Sequence, residues 1–64
     1  MDVLKIPIYG KDGHGFHIID YVFLNLSHVI YIVLIHNTEY CELWLSNGDC
    51  FISLKERFGL QNEE

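Results

Sequence analysis

Residues 29–54, VIYIVLIHNTEYCELWLSNGDCFISL, consist of three apolar segments separated by two polar turns. The segments are rich in β-branched and aromatic residues, and this composition is typical of strands. An Asn-Gly pair is the preferred centre of a two-residue type I′ hairpin turn, and Asn47-Gly48 provides one. We therefore predict an antiparallel meander with strands at 29–35, 40–46 and 49–54.

The rest of the chain predicts two more strands and one helical turn. Residues 4–9 alternate between apolar and polar, and Pro7 marks this segment as an edge strand because proline has no N–H to donate. A flexible turn at Gly10–Gly15 leads to a second strand at 16–25. Residues 55–58 form one helical turn, which Gly59 can end. We predict an all-β, mainly antiparallel fold, with five strands in a meander or small barrel-like sheet, a single domain over 1–60 and a frayed acidic tail at 61–64.

The predicted turns set a register that sorts the side chains onto two faces. Trp44 then faces Phe51, and Tyr31 faces Trp44 if the preceding loop has two or four residues; an odd-length loop would reverse strand 29–35. One face is expected to form the core, with Ile30, Ile32, Leu34, Cys41, Leu43, Leu45, Cys50, Ile52 and Leu54. The other face carries Tyr31, Val33, Ile35, Tyr40, Trp44 and Phe51, interrupted by Glu42 and Ser53.

This second face is the unusual feature of the sequence. Its aromatic and aliphatic side chains would form a larger apolar patch than soluble monomers usually expose. One interpretation is that the first two strands, or Phe58 and Leu60, fold over it. The other is that a second copy covers it in a two-fold dimer, and we expect this arrangement. The six apolar residues of the face are therefore the expected dimer or partner interface.

Charge and composition disfavour several partner classes. The formal net charge is −5, and Lys and Arg are absent between Asp12 and Leu54. Nucleic acids and anionic membranes both recruit proteins through basic residues, so neither is an expected partner. Any contact with nucleic acid or another anion would involve Lys11, Lys55 and Arg57. The sequence shows no signal peptide and no apolar stretch of about 20 residues, and we therefore expect a cytoplasmic protein.

The reactive side chains do not form a recognisable catalytic or metal-binding motif. Cys41 and Cys50 are expected to be reduced, buried thiols, about four residue positions or roughly 13 Å apart, which is too far for a disulfide. The four histidines lack the spacing of a metal site. We expect no enzymatic activity, no metal and no cofactor. The glycine-rich loop at 10–15, together with Lys11, could bind an anion.

Residues 22–58 resemble the first half of the LytTR-type DNA-binding domain of bacterial transcription regulators. The shared features are the short break before "VIYI", the hairpin ending in "NG", and the closing "SLKE" at Ser53–Glu56. The resemblance implies a sheet-rich fold. The family's basic, DNA-contacting second half has no counterpart in these 64 residues, so no DNA-contacting position carries over.

Three functional hypotheses follow. The first is a small, acidic, non-enzymatic interaction protein that forms a homodimer and binds and modulates or inhibits a larger protein, as phage or mobile-element inhibitors of host systems do. The alternative is a reduced LytTR-like DNA-binding transcription regulator. A weaker alternative is a binder of an anionic small ligand at Gly10–Gly15.

Overall fold

The computed structural model describes residues 3–60, which form one five-stranded antiparallel sheet. The strands are β1 (Val3–Asp12), β2 (Gly15–Asn25), β3 (Val29–Leu34), β4 (Tyr40–Leu45) and β5 (Cys50–Leu54). Two 3₁₀ turns, η1 (Leu26–His28) and η2 (Lys55–Phe58), complete the fold. The all-β prediction is confirmed, while the tail predicted at 61–64 lies outside the described residues. No helix within residues 3–60 is long and apolar enough to cross a membrane.

The predicted pairing of β3 with β4 is confirmed from Tyr31 to Leu34, but the register shifts between Val29 and Tyr31, and Ile30, expected in the core, is 60% exposed. Tyr31 lies opposite Trp44, and Leu34 lies opposite Cys41. The turn between the strands is closed by a hydrogen bond of 3.2 Å from the Ile35 N–H to the Tyr40 carbonyl. The intervening loop therefore has four residues, which is one of the two loop lengths for which this register was predicted.

The predicted register of β4 with β5 is wrong by one residue. The Leu45 N–H donates to the Asp49 carbonyl at 2.9 Å, which leaves three residues in the hairpin loop instead of two. Gly48 occupies the left-handed region at φ 93°, as the last residue of a three-residue hairpin loop does. Trp44 consequently lies opposite Cys50, not opposite Phe51. Because side chains alternate along a strand, this slip moves every β5 side chain to the other face.

The expectation that β1 is an edge strand is also wrong. The strand order is β2-β1-β5-β4-β3, so β1 lies between two neighbours. Pro7 cannot donate to β5, but the Ser53 hydroxyl donates to the Pro7 carbonyl at 2.7 Å. Ser53 is 0% exposed. A side-chain hydrogen bond therefore joins the two strands beside a proline that lacks a backbone donor.

The connection between β2 and β3 requires a strongly coiled sheet. These two edge strands are four strand spacings apart in the order of the sheet, or about 19 Å if the sheet were flat. The chain from Asn25 to Val29, which includes η1, contains four Cα–Cα steps and can span at most about 15 Å. The sheet must therefore curl until its edges approach each other at η1. The concave side encloses the buried apolar core of Ile6, Ile8, Leu24, Cys41, Leu43 and Leu45.

Candidate interaction surface

The face of β3 and β4 that points away from the core carries a stacked aromatic pair, in which Tyr31 is exposed and Trp44 is half-buried. The rings of Tyr31 and Trp44 stack with their centroids 5.8 Å apart and their planes inclined by 16°. Tyr31 is 52% exposed, and its β3 neighbour Val33 is 41% exposed. Glu42, opposite Val33, accepts a hydrogen bond of 3.3 Å from the indole N–H of Trp44. We call Tyr31, Val33, Glu42 and Trp44 the Trp44 surface.

Strand β5 contributes different residues to this face from those predicted. Ile52 lies opposite Glu42, and Cys50 lies opposite Trp44, so both share the outer face. Cys50 is exposed and Cys41 is buried, which corrects the expectation of two buried thiols on one face. Phe51 was expected in the interface, but it lies opposite Leu43 and packs partly buried against the core.

The other two predicted interface residues lie at the margin of the Trp44 surface. Ile35 follows β3 and is half-buried, as is Tyr40 at the start of β4. The Tyr40 ring stacks on Phe16 with a centroid distance of 4.1 Å and meets the edge of Tyr9 at 4.9 Å. Burial raises the pKa of the Tyr9 phenol, and Tyr40 raises it further. Tyr40 therefore contributes to an intramolecular aromatic cluster, which limits its role in binding a partner.

The three residues considered for anion contact lie in different environments. Lys55 is 1% exposed, and its ammonium donates to the Ile35 carbonyl at 3.1 Å. It is therefore not accessible to a phosphate, and its proposed role is corrected. The Lys11 ammonium lies 5.4 Å from the centroid of the Phe16 ring. Arg57 is exposed on η2.

The glycine-rich segment forms a tight hairpin turn rather than a long flexible loop. Asp12 pairs with Gly15, so only Gly13 and His14 lie between β1 and β2. The Asp12 carboxylate accepts the His14 N–H at 2.7 Å. It also lies 3.6 Å from the His17 ring. The Asp12 carboxylate already accepts from this turn and would repel an anionic ligand, which disfavours an anion site here.

A second exposed apolar group lies on the outer face of the β1–β2 hairpin, and the sequence reasoning missed it. Phe23 is 76% exposed and Tyr21 is 54% exposed. The Lys5 ammonium lies 5.5 Å from the Tyr21 ring centroid and 5.9 Å from that of Phe23. We call Lys5, Tyr21 and Phe23 the Lys5–Phe23 surface. Counting the register back from the turn at Gly13 and His14 would have placed Lys5 opposite Val22, but a β-bulge between Ile8 and Tyr9 shifts the register by one residue and brings Phe23 opposite Lys5.

Reactive groups are sparse in the described part of the chain. No group of three or more His, Cys, Asp or Glu side chains within residues 3–60 has the geometry of a metal site. Burial raises the pKa of the Cys41 thiol. Burial, followed by the Glu42 carboxylate, also raises the pKa of the Cys50 thiol. Both thiols are therefore less ionised near neutral pH than an ordinary cysteine, and thus weaker nucleophiles.

Comparisons with known proteins add no further assignment. No protein-family model matches the chain, and no curated protein or solved structure matches it significantly. The resemblance to the LytTR-type domain stays a prediction. The observations that bear on function are therefore the two exposed surfaces and their charges.

Proposed function

We propose that this protein is a small, acidic, non-enzymatic interaction protein that acts in the cytoplasm as a homodimer and modulates or inhibits a larger protein. The stacked Tyr31–Trp44 pair, in which Tyr31 is exposed and Trp44 is half-buried, carries this proposal. Interfaces draw most of their binding energy from a few buried aromatic anchors surrounded by polar groups. Tyr31 and Trp44, next to Val33 and Glu42, have that composition.

The size and curvature of the sheet favour self-association through this surface. The small core fills the concave side of the sheet and leaves the outer side uncovered in the described residues. Tyr31 and Val33 are both more than two-fifths exposed. A second copy that packs against them would remove this apolar area from water, at about 25 cal/mol per Å². Two-fold dimers are the commonest way in which identical chains bury such a surface.

The test is the mass in solution, measured by sedimentation equilibrium over a range of concentrations. The chain is 7.5 kDa, so we expect a dimer of about 15 kDa, twice that value. Tyr31→Ser should shift the mass toward the monomer. It should also leave the fold intact, because half of that side chain is already in water.

Tyr21→Ser is the matched control, because Tyr21 and Tyr31 are 54% and 52% exposed. Its mass should stay that of the wild type. A wild-type protein that is monomeric at all concentrations would contradict the proposed dimer. Equal dissociation of the two variants would show that the Trp44 surface is not the specific contact.

A further inference from the structure

We propose that the Lys5–Phe23 surface binds an acidic segment with apolar side chains on the protein that this chain modulates. The inference rests on the proposed function, since that function supplies the larger protein. To that function the inference adds a second binding surface and the chemical character of the partner segment. The Trp44 surface then closes the dimer, while the β1–β2 hairpin meets the target.

The first observation is a separation of charge between the two faces of the hairpin. The residue pairs on the outer face are Val3–Asn25, Lys5–Phe23, Pro7–Tyr21, Tyr9–Ile18 and Lys11–Phe16. These include both lysines of the hairpin and no acid. Asp20 pairs with Ile8, and Asp12 pairs with Gly15, so both acids belong to the opposite face. The outer face is therefore locally cationic in a chain whose net charge is −5.

The second observation is the position of the Lys5 ammonium among aromatic rings. It lies within 6 Å of both the Tyr21 and the Phe23 centroid, the range of a cation–π contact. The rings therefore hold the charge at the centre of an exposed apolar patch. A carboxylate on a partner could pair with this ammonium while neighbouring apolar side chains cover the rings. Aromatic anchors supply most of the binding energy of an interface, and a complementary charge pair adds specificity.

The backbone at this edge disfavours the addition of a partner strand. The Pro7 carbonyl accepts from Ser53 of β5, so the β1 backbone at Pro7 faces β5. Its partner Tyr21 therefore directs its backbone toward the free edge of β2. There the Asp20 carboxylate accepts the Tyr21 N–H at 2.7 Å. Charged groups that cover an edge oppose strand pairing, so the partner is expected to contact the side chains of the outer face.

The small number of cations on the outer face of the hairpin favours a short acidic protein segment over a nucleic acid. Binding of nucleic acid depends on Lys and Arg side chains that neutralise many phosphates, so a surface with few such side chains binds it weakly. The outer face of the hairpin offers only Lys5 and Lys11. A short acidic segment needs only one or two charge pairs. Its remaining binding energy would come from apolar contacts with Tyr21 and Phe23.

A selection from a displayed library of random 12-residue peptides, on the immobilised full-length protein, tests this proposal. We expect the recovered peptides to have a net negative charge and to be rich in Leu, Phe or Trp. Fluorescence anisotropy then measures their dissociation constants. Lys5→Glu and Phe23→Ser should each weaken binding at least tenfold. Arg57→Glu makes the same change in charge outside the hairpin and should change binding less than threefold.

Four results from the selection and from the controls described so far would overturn the proposal. These are recovered peptides that are neutral or basic, equal losses in Lys5→Glu and Arg57→Glu, no peptide that prefers the wild type over Phe23→Ser, and tighter binding of a 12-nucleotide oligo(dT) than of any peptide. Binding is also measured on Tyr31→Ser, the variant that tests the dimer. If Tyr31→Ser still binds the peptides, the assignment to the Lys5–Phe23 surface is supported whatever the oligomeric state of the variant. If Tyr31→Ser no longer binds the peptides, they bind the Trp44 surface, and the proposal is overturned.

Discussion

Replacing Ser53 by alanine tests the contact that joins the two halves of the sheet. Strands β1 and β2 form one half, and β3, β4 and β5 form the other. Only the β1–β5 pairing joins them within the sheet, and Pro7 deprives that pairing of a backbone donor. The Ser53 hydroxyl supplies a donor to the Pro7 carbonyl at 2.7 Å. We therefore expect Ser53→Ala to weaken the whole fold rather than one hairpin.

The size of the effect follows from burial. Pro7 and Ser53 are both buried, and Ser53 is 0% exposed. Water therefore cannot replace the hydroxyl donor that Ser53→Ala removes. A buried polar group left without its partner costs about 1–3 kcal/mol. The free energy of unfolding should therefore fall by about 2 kcal/mol. For a domain of this size, each kcal/mol corresponds to about 4–8 °C, so Tm should fall by roughly 8–16 °C.

Urea unfolding followed by Trp44 fluorescence measures this change. All variants are compared at one protein concentration, because the stability of a dimer depends on concentration. Ser46→Ala is the control, since Ser46 is exposed in the β4–β5 turn, and it should change stability by less than about 0.5 kcal/mol. A loss below about 0.5 kcal/mol in Ser53→Ala, with an unchanged m-value, would refute the role given to the hydroxyl.

Two further predictions concern buried and reactive side chains. Lys55→Met should change the free energy of unfolding by less than about 1 kcal/mol, because losing the hydrogen bond to Ile35 is offset by no longer burying an ammonium. Lys55→Ala also removes the packed stem of the side chain and should lower the free energy of unfolding, measured with urea, by about 2 kcal/mol or more. Equal losses of stability in Lys55→Met and Lys55→Ala would contradict this. Iodoacetamide should modify Cys50 in the folded protein and Cys41 only after unfolding, as measured by mass spectrometry. Because the pKa of Cys50 is raised, its thiolate should form at higher pH than that of a free cysteine, and Glu42→Gln should speed the reaction at pH 8. Equal rates for the two cysteines, or no effect of Glu42→Gln, would count against these assignments.

Much of the local structure could be predicted from short stretches of sequence. All five strands and the η2 turn lie within a few residues of the segments inferred from alternation, Pro, Gly and Asn, whereas η1 was expected only as a short break in the chain. The pairing of Tyr31 with Trp44 was also correct. These features depend on neighbouring residues and on a loop whose length the turn residues indicate, so local patterns contain the necessary information.

The register of β5 could not be predicted in this way. Asn-Gly suits a two-residue turn with two left-handed residues, but it also suits a three-residue loop in which only the glycine is left-handed. The three-residue loop is the one that occurs here, with Gly48 in the left-handed region at φ 93°. This choice directs Ser53 and Phe51 to the concave side, where Ser53 meets Pro7 and Phe51 meets the core. The one-residue shift in the register of β5 therefore goes together with contacts to β1, a strand more than 40 residues away in the sequence.

By itself, the sequence determined an all-β chain with one aromatic face on β3 and β4, because side-chain alternation and turn preferences are local properties. The tertiary structure alone decided that β1 is an interior strand, that Lys55 is buried, and that Lys5 lies among Tyr21 and Phe23. Each of these depends on which distant segments become neighbours when the sheet coils around its small core. Alternation limits which residues share a face, but only packing decides which faces remain exposed.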